Sequence, residues 1–153
     1  MAFYHCKSLT SIMIPDSVIT IGSGTFDGCS SMTSITIGSS VKSIGAFAFR
    51  DCTSLPLLVL PNSVNSIDVQ LFSGCTSLST ITIGTGVTSI GDGAFIGCTS
   101  LVSVVLPYGV KRIGDGSFYG CSSLSSINIP TSITTIGNSA FEGTGTIIIS
   151  NGT

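Results

Sequence analysis

The sequence predicts a mainly β protein, a right-handed solenoid of 23-residue coils with parallel β-strands stacked on both faces and short 3₁₀ or helical turns. Cysteine spacing is the first reason. Cys6, Cys29, Cys52, Cys75, Cys98 and Cys121 recur every 23 residues without an insertion or deletion. A fixed period of about 20 to 50 residues marks a chain whose units stack only on their neighbours. Apolar rows running in step with the cysteines are the second reason, and a polar–apolar alternation inside each unit, the pattern of a half-buried strand, is the third.

Each unit begins at a tight turn. Phe3, Phe26, Phe49, Phe72, Phe95 and Phe118 stand three residues before the cysteines, and the series runs on to Phe141, where Thr144 replaces a seventh cysteine. In Ala94-Phe95-Ile96-Gly97-Cys98 the ring and the thiol lie three apart, on one face of a helical or 3₁₀ turn flanked by glycine. A leucine row follows, Leu9, Met32, Leu55, Leu78, Leu101 and Leu124. The first strand comes next: Ser79-Thr80-Ile81-Thr82-Ile83 alternates, and its β-branched residues suit a pleated surface. Proline or glycine ends it, at Pro15, Gly38, Pro61, Gly84, Pro107 and Pro130. A second short extended piece, such as Val87-Thr88-Ser89-Ile90, leads to the closing glycine, which is present at Gly22, Gly45, Gly91, Gly114 and Gly137 and replaced by Asp68 in one unit. Stacking the coils pairs each strand with its copy in the next, in parallel and in register, about 4.8 Å apart.

Composition removes several function classes. Charged residues make up 8% of the chain, the net charge is −2 and the basic residues form no run, so the electrostatic footprint of a nucleic-acid binder is missing. Mean hydropathy is positive, yet no apolar stretch approaches the roughly 20 residues of a spanning helix, so membrane insertion is not expected. Residues 1–153 are read as a single solenoid domain of six cysteine-containing repeats and a degenerate seventh. The first residues, Met1 to Cys6, lack a basic region followed by an apolar segment and enter in mid-repeat, which points to a piece of a longer protein with no signal peptide in this chain.

The unit Leu78-x-x-Ile81-x-Ile83-x-x-x-Val87-Thr88-Ser89-Ile90-Gly91-Asp92-Gly93-Ala94-Phe95-x-Gly97-Cys98-x-Ser100-Leu101 resembles the BspA-type (Treponema-type) leucine-rich repeat, and the resemblance covers nearly the whole chain. It implies a curved leucine-rich-repeat solenoid from a surface or secreted protein of a host-associated bacterium or mucosal protozoan. It also implies a non-enzymatic module that binds protein, with extracellular-matrix and host-cell proteins as the expected ligands.

The chemistry-bearing residues support no other reading. A row of cysteines that points one way favours buried free thiols over disulfides, because side chains in a ladder rarely meet the disulfide dihedral. Zinc ligands must converge on one point, and these are spread along an axis. His5 is the only histidine and has no acidic neighbour in sequence, so no catalytic residue is expected. Asp92 and Asp115, beside glycines, are read as turn residues and not as a calcium site. No cofactor is expected.

What remains is surface. The outward residues of the first strand are mostly small and neutral, but Leu57, Val59 and Val105 are apolar where water should be. The candidate binding face is therefore Met13, Thr36, Leu57, Val59, Thr80, Thr82, Val105 and Asn128. An adhesin module using this face on a protein ligand is the leading expectation. A spacer or self-assembling rod is the alternative, since Met1 to Cys6 and Thr146-Ile147-Ile148-Ile149 do not look like polar caps and head-to-tail association would cover the ends.

Overall fold

The computed structural model describes residues 1–145 and 148–152. Its strands in chain order are β1 (Ser11–Ile14), β2 (Thr20–Ile21), β3 (Ser34–Ile37), β4 (Ser43–Ile44), β5 (Leu57–Val59), β6 (Thr80–Thr82), β7 (Ser89–Ile90), β8 (Ser103–Val105), β9 (Arg112–Ile113), β10 (Ser126–Pro130), β11 (Thr135–Ile136) and β12 (Ile148–Gly152). Strands β1, β3, β5, β6, β8, β10 and β12 follow one another on the first face, while β2, β4, β7, β9 and β11 form the second. Every pairing is parallel, with Ile12 beside Ile35, Leu58 beside Ile81 and Ile90 beside Ile113, so like residues of successive coils lie side by side. The expected solenoid with a sheet on each broad side is present. We number the coils 1 to 6 by the first-face strands β1, β3, β5, β6, β8 and β10.

The core is a set of parallel ladders. Phe26, Phe49, Phe72, Phe95 and Phe118 are fully buried. Their rings stack face to face from Phe3 to Phe141 at centroid spacings of 5.1 to 5.7 Å. That spacing lies inside the range of about 4.5–7 Å preferred by offset-stacked aromatic pairs. All six cysteines are free thiols, Cys6 exposed and the others buried. Each buried thiol donates to the carbonyl of the phenylalanine one coil back: Cys29 to Phe3 O (3.1 Å), Cys52 to Phe26 O (3.3 Å), Cys75 to Phe49 O (3.1 Å), Cys98 to Phe72 O (3.2 Å) and Cys121 to Phe95 O (3.0 Å). Thr144 breaks the series, because its hydroxyl donates to Phe141 O in its own turn, at 2.6 Å.

The tight turns close with i→i+3 bonds such as Cys98 N to Phe95 O (3.1 Å) and are bounded at both ends by left-handed residues. Gly24, Gly93 and Gly116 hold the first such position, with φ of 60, 63 and 57°. Phe47, Gln70 and Ser139 hold it in the other coils at 62, 49 and 52°, against the usual preference of a non-glycine residue. The left-handed ends stop the turn from growing into a longer helix.

Two substitutions in coil 3 interrupt the strand ladders against coil 2. At the start of the first-face strand, Thr33, Ser79 and Ser125 donate their N–H to the preceding coil, for instance Ser79 N to Pro56 O (2.9 Å). Pro56 occupies this position in coil 3 and has no N–H to give. Leu60 N donates to Thr82 O at 2.9 Å across the next seam, whereas among the described residues β3 and β5 share no pairing. On the second face the closing glycines lie against the backbone behind them. A Cβ on Gly45 would stand 2.6 Å from Ser23 N, and one on Gly91 2.7 Å from the Asp68 carbonyl carbon. Asp68 carries that Cβ, so coil 3 must stand off. Gly45, Gly91, Gly114 and Gly137 each donate N–H to the isoleucine one coil back, and Asp68 does not. Its carboxylate accepts instead from Val69 N, at 2.7 Å.

In the last coil the period shortens. Ser126 pairs with Ile148, so the offset is 148 − 126 = 22 residues, against 23 between Ser103 and Ser126. Thr146 and Ile147 of the expected uncapped end lie outside the described residues.

Candidate functional site

The outward side of the first face carries no charged residue along its strands from β1 to β10, because the alternation that sends Ile, Leu and Val inward leaves Ser, Thr, Met, Leu, Val and Asn outside. Met13 (74% exposed), Leu57 (53%), Val59 (55%) and Val105 (71%) all point into solvent, and Thr36, Thr80 and Thr82 are exposed beside them. Leu57 and Val59 are adjacent outward positions of β5, paired with Thr80 and Thr82 of β6. Val105 lies on β8, beyond β6 and therefore roughly 10 Å from β5 at two strand spacings.

Asn128 stands apart from the rest of the candidate face. It is half-buried, its side-chain oxygen accepts from Leu106 N at 2.6 Å and its amide donates to Leu106 O at 3.0 Å. The side chain thus brackets the neighbouring backbone and is committed to the fold.

The interrupted pairing between β3 and β5 opens the face at one place. A cavity of ≈ 170 Å³ is lined by Thr33, Ser34, Ile35, Pro56, Leu57 and Val59. A second, of ≈ 250 Å³, shares Ile35 and Val59 with it and continues along Thr36, Ile37 and Pro61. The two form one crevice along the coil 2–coil 3 seam. Ile35 and Ile37, inward residues of β3, are only half-buried there, while Leu58 and Leu60 across the seam are each 1% exposed. The crevice is apolar, neutral and rimmed by hydroxyls. It offers shape and apolar area to a ligand, and its lining residues include no titratable side chain.

The ionisable groups lie elsewhere and are held by structural partners. Asp27, 2% exposed, accepts from Arg50 Nη2 at 2.6 Å and Nε at 3.1 Å, and Phe47 presents its ring to that guanidinium, 5.1 Å away. On the opposite part of the solenoid the Arg112 guanidinium, and then the Asp115 N–H, hold the Asp92 carboxyl below its ordinary range. Asp115 passes the same bond on to Asn138 N, at 2.8 Å, so both aspartates act as turn brackets, as the sequence suggests. Burial pushes the Cys75 thiol up to about 12 and raises Cys52 and Cys29 as well. Cys98 is held well above its ordinary value by the Cys121 thiol beside it and then by burial. These thiols are neutral at ordinary pH. Among the described residues no group of three or more His, Cys, Asp or Glu side chains is placed to hold a metal ion, and no helix is long and apolar enough to cross a membrane.

Sequence reasoning missed the crevice, the Asp27–Arg50 pair and the Asn128 bracket. A signal existed for the pair: Asp27 and Arg50 are one 23-residue period apart, and opposite charges at the same place in successive coils must meet. It also passed over Val102 (50% exposed) and Tyr108 (65%), which flank Val105 in sequence.

The family model described as BspA type Leucine rich repeat region matches in six copies, over residues 1–107 and 88–151. Among solved structures the chain is similar to the T. pallidum leucine-rich repeat protein, with 37% identity and a TM-score of 0.86 over 93% of this chain and 66% of that one. A leucine-rich repeat protein from Bacteroides ovatus matches with 30% identity and a TM-score of 0.69, covering 95% of this chain and 44% of that one. One from Eubacterium ventriosum matches with 29% identity and a TM-score of 0.72, covering 90% and 43%. The chain therefore spans about two thirds of the T. pallidum protein and less than half of the other two. No curated protein matches.

Proposed function

The chain belongs to the BspA-type leucine-rich repeat family, whose repeats serve as protein-interaction modules or scaffolds, and we propose that it is the ligand-contacting part of a cell-surface or secreted adhesin that binds host or matrix proteins. The observation that carries this reading is the pair Leu57 and Val59, more than half exposed on an uncharged sheet face and standing at the lip of an apolar crevice. An apolar patch rimmed by hydroxyls suits a protein surface better than a small polar metabolite. Neither residue holds the fold together, so both are free to serve a partner.

The test is binding of the chain to an immobilised panel of extracellular-matrix proteins. The double variant Leu57→Asp/Val59→Asp should lose at least about tenfold in affinity, or about 1.4 kcal/mol, with an unchanged melting midpoint. Unchanged affinity removes the face from the reading, and failure of the unaltered chain to bind any member removes the matrix ligand.

A second reading, self-association into a rod, rests on a different observation. Coil 1 exposes a cavity of ≈ 240 Å³ lined by Phe3, Ile14, Val18, Ile21 and Phe26, and β1 and β2 have no partner on their outer edges among the described residues. Sedimentation at increasing concentration distinguishes the two: a constant monomer leaves only the adhesin reading.

A further inference from the structure

We infer that the solenoid is divided into two rigid blocks, coils 1–2 and coils 3–6, which rock about a hinge at the coil 2–coil 3 seam. The inference stands on backbone geometry and does not depend on any ligand. At this seam both sheets lose their strand pairing, on the first face through Pro56 and on the second through Asp68. Every other seam keeps at least one face joined by strand pairing or a bridge. Strands β6 and β8 also do not pair with each other, but there the second sheet runs through β7, β9 and β11 without a break. Coils 3 and 4 are joined by β5–β6 and by the Ile67–Ile90 bridge.

The pivot is the tight-turn side. Phe47 N donates to Val69 O (3.1 Å), Phe49 N to Leu71 O (3.0 Å) and Asp51 N to Ser73 O (2.8 Å), so that arc is bonded across the seam. The broad faces keep little, chiefly Asn65 N to Lys42 O at 3.1 Å and the Ser63 hydroxyl to Val41 O at 2.6 Å. The Phe49–Phe72 centroid distance of 5.7 Å is the widest step of the ring stack, which locates the loosening in the core as well. A bonded arc on one side and open ladders on the others permit rotation about the arc more readily than separation. The crevice has one lip on each block, Ile35 and Thr36 on coil 2 and Leu57 and Val59 on coil 3, so rocking changes its width.

Hydrogen exchange of the full chain reads the hinge directly. The Ile37 amide should exchange at least about tenfold faster than that of Leu60, its copy one coil on, which is bonded to Thr82 O. The double variant Pro56→Thr/Asp68→Gly returns the row residues to both faces and should slow Ile37 to the Leu60 rate. It should also merge the two denaturant transitions expected of the unaltered chain into one. Equal protection of Ile37 and Leu60 in the unaltered chain, or a single sharp transition with uniform exchange along the stack, overturns the inference without recourse to any variant.

Discussion

Truncating one ring of the phenylalanine ladder measures how far each coil depends on its neighbours. Phe72 is fully buried and lies between two rings, 5.7 Å from Phe49 and 5.3 Å from Phe95. Phe72→Ala should lose about 3–5 kcal/mol, the range for a buried aromatic whose cavity cannot collapse between packed coils. Phe141 is half-buried and stacks on one ring only, Phe118 at 5.4 Å, so Phe141→Ala should lose about 2 kcal/mol, from less burial and one aromatic neighbour instead of two. Against a total of about 5–15 kcal/mol the first variant is severely weakened and the second is not. Guanidinium melts followed by far-ultraviolet circular dichroism give both numbers, read from the transition of the coil 3–6 block, which holds both rings. Equal losses at the two positions would refute the stacked model, in which a residue is supported from both sides only inside the array.

Other perturbations act on single groups. Ser117 is fully buried with an unpartnered hydroxyl, in a row that carries alanine in both neighbouring coils, at Ala94 and Ala140, so Ser117→Ala should stabilise the protein by about 1 kcal/mol, and a lower Tm would be the wrong sign. Thiol titration of the native chain should find one fast group, Cys6, and five slow ones, where the sequence suggested that all would be slow. Because the folded pKa of Cys75 is raised from 9.0 to about 12, its neutral thiol contributes stability that is fully present below pH 9.0 and is lost as pH rises through about 12. Melts between those limits should show a falling midpoint, and a flat profile would contradict the buried ladder. Arg50→Met leaves the buried Asp27 carboxylate unpaired and should cost about 2 kcal/mol, below the range for a fully buried pair because the guanidinium is 36% exposed. A double cycle with Asp27→Asn checks that the loss belongs to the pair.

The coil, its period and its inward rows were legible in the sequence because each constraint is written six times over. One Ile-x-Ile segment is weak support for a strand, but the same segment at a fixed spacing can pair only with its copy, which fixes register and parallel sense together. The departures were visible too, as a proline in a row of Thr, Ser and Val and an aspartate among glycines, yet their effect was not. Pro56 matters through a missing N–H and Asp68 through a Cβ held against the coil behind it, and both are properties of the gap between coils. Asn128 looked like an outward polar residue for the same reason: its partner, Leu106, lies 22 residues away, out of step with the period that guided the reading.

The thiol bonds also give the stack a direction. Every buried cysteine donates backwards to the coil before it, and at the far end Thr144 turns its hydroxyl inward to its own turn. The two ends of the solenoid are therefore chemically distinct surfaces, and the parallel strands make them geometrically distinct as well. No two-fold axis can relate one end to the other end of an identical molecule. A contact between unlike ends is heterologous, and when its rotation does not close it propagates as a helical filament instead of stopping at a dimer. A finite two-fold dimer of this chain would have to join like ends, head to head or tail to tail, or form through its sides.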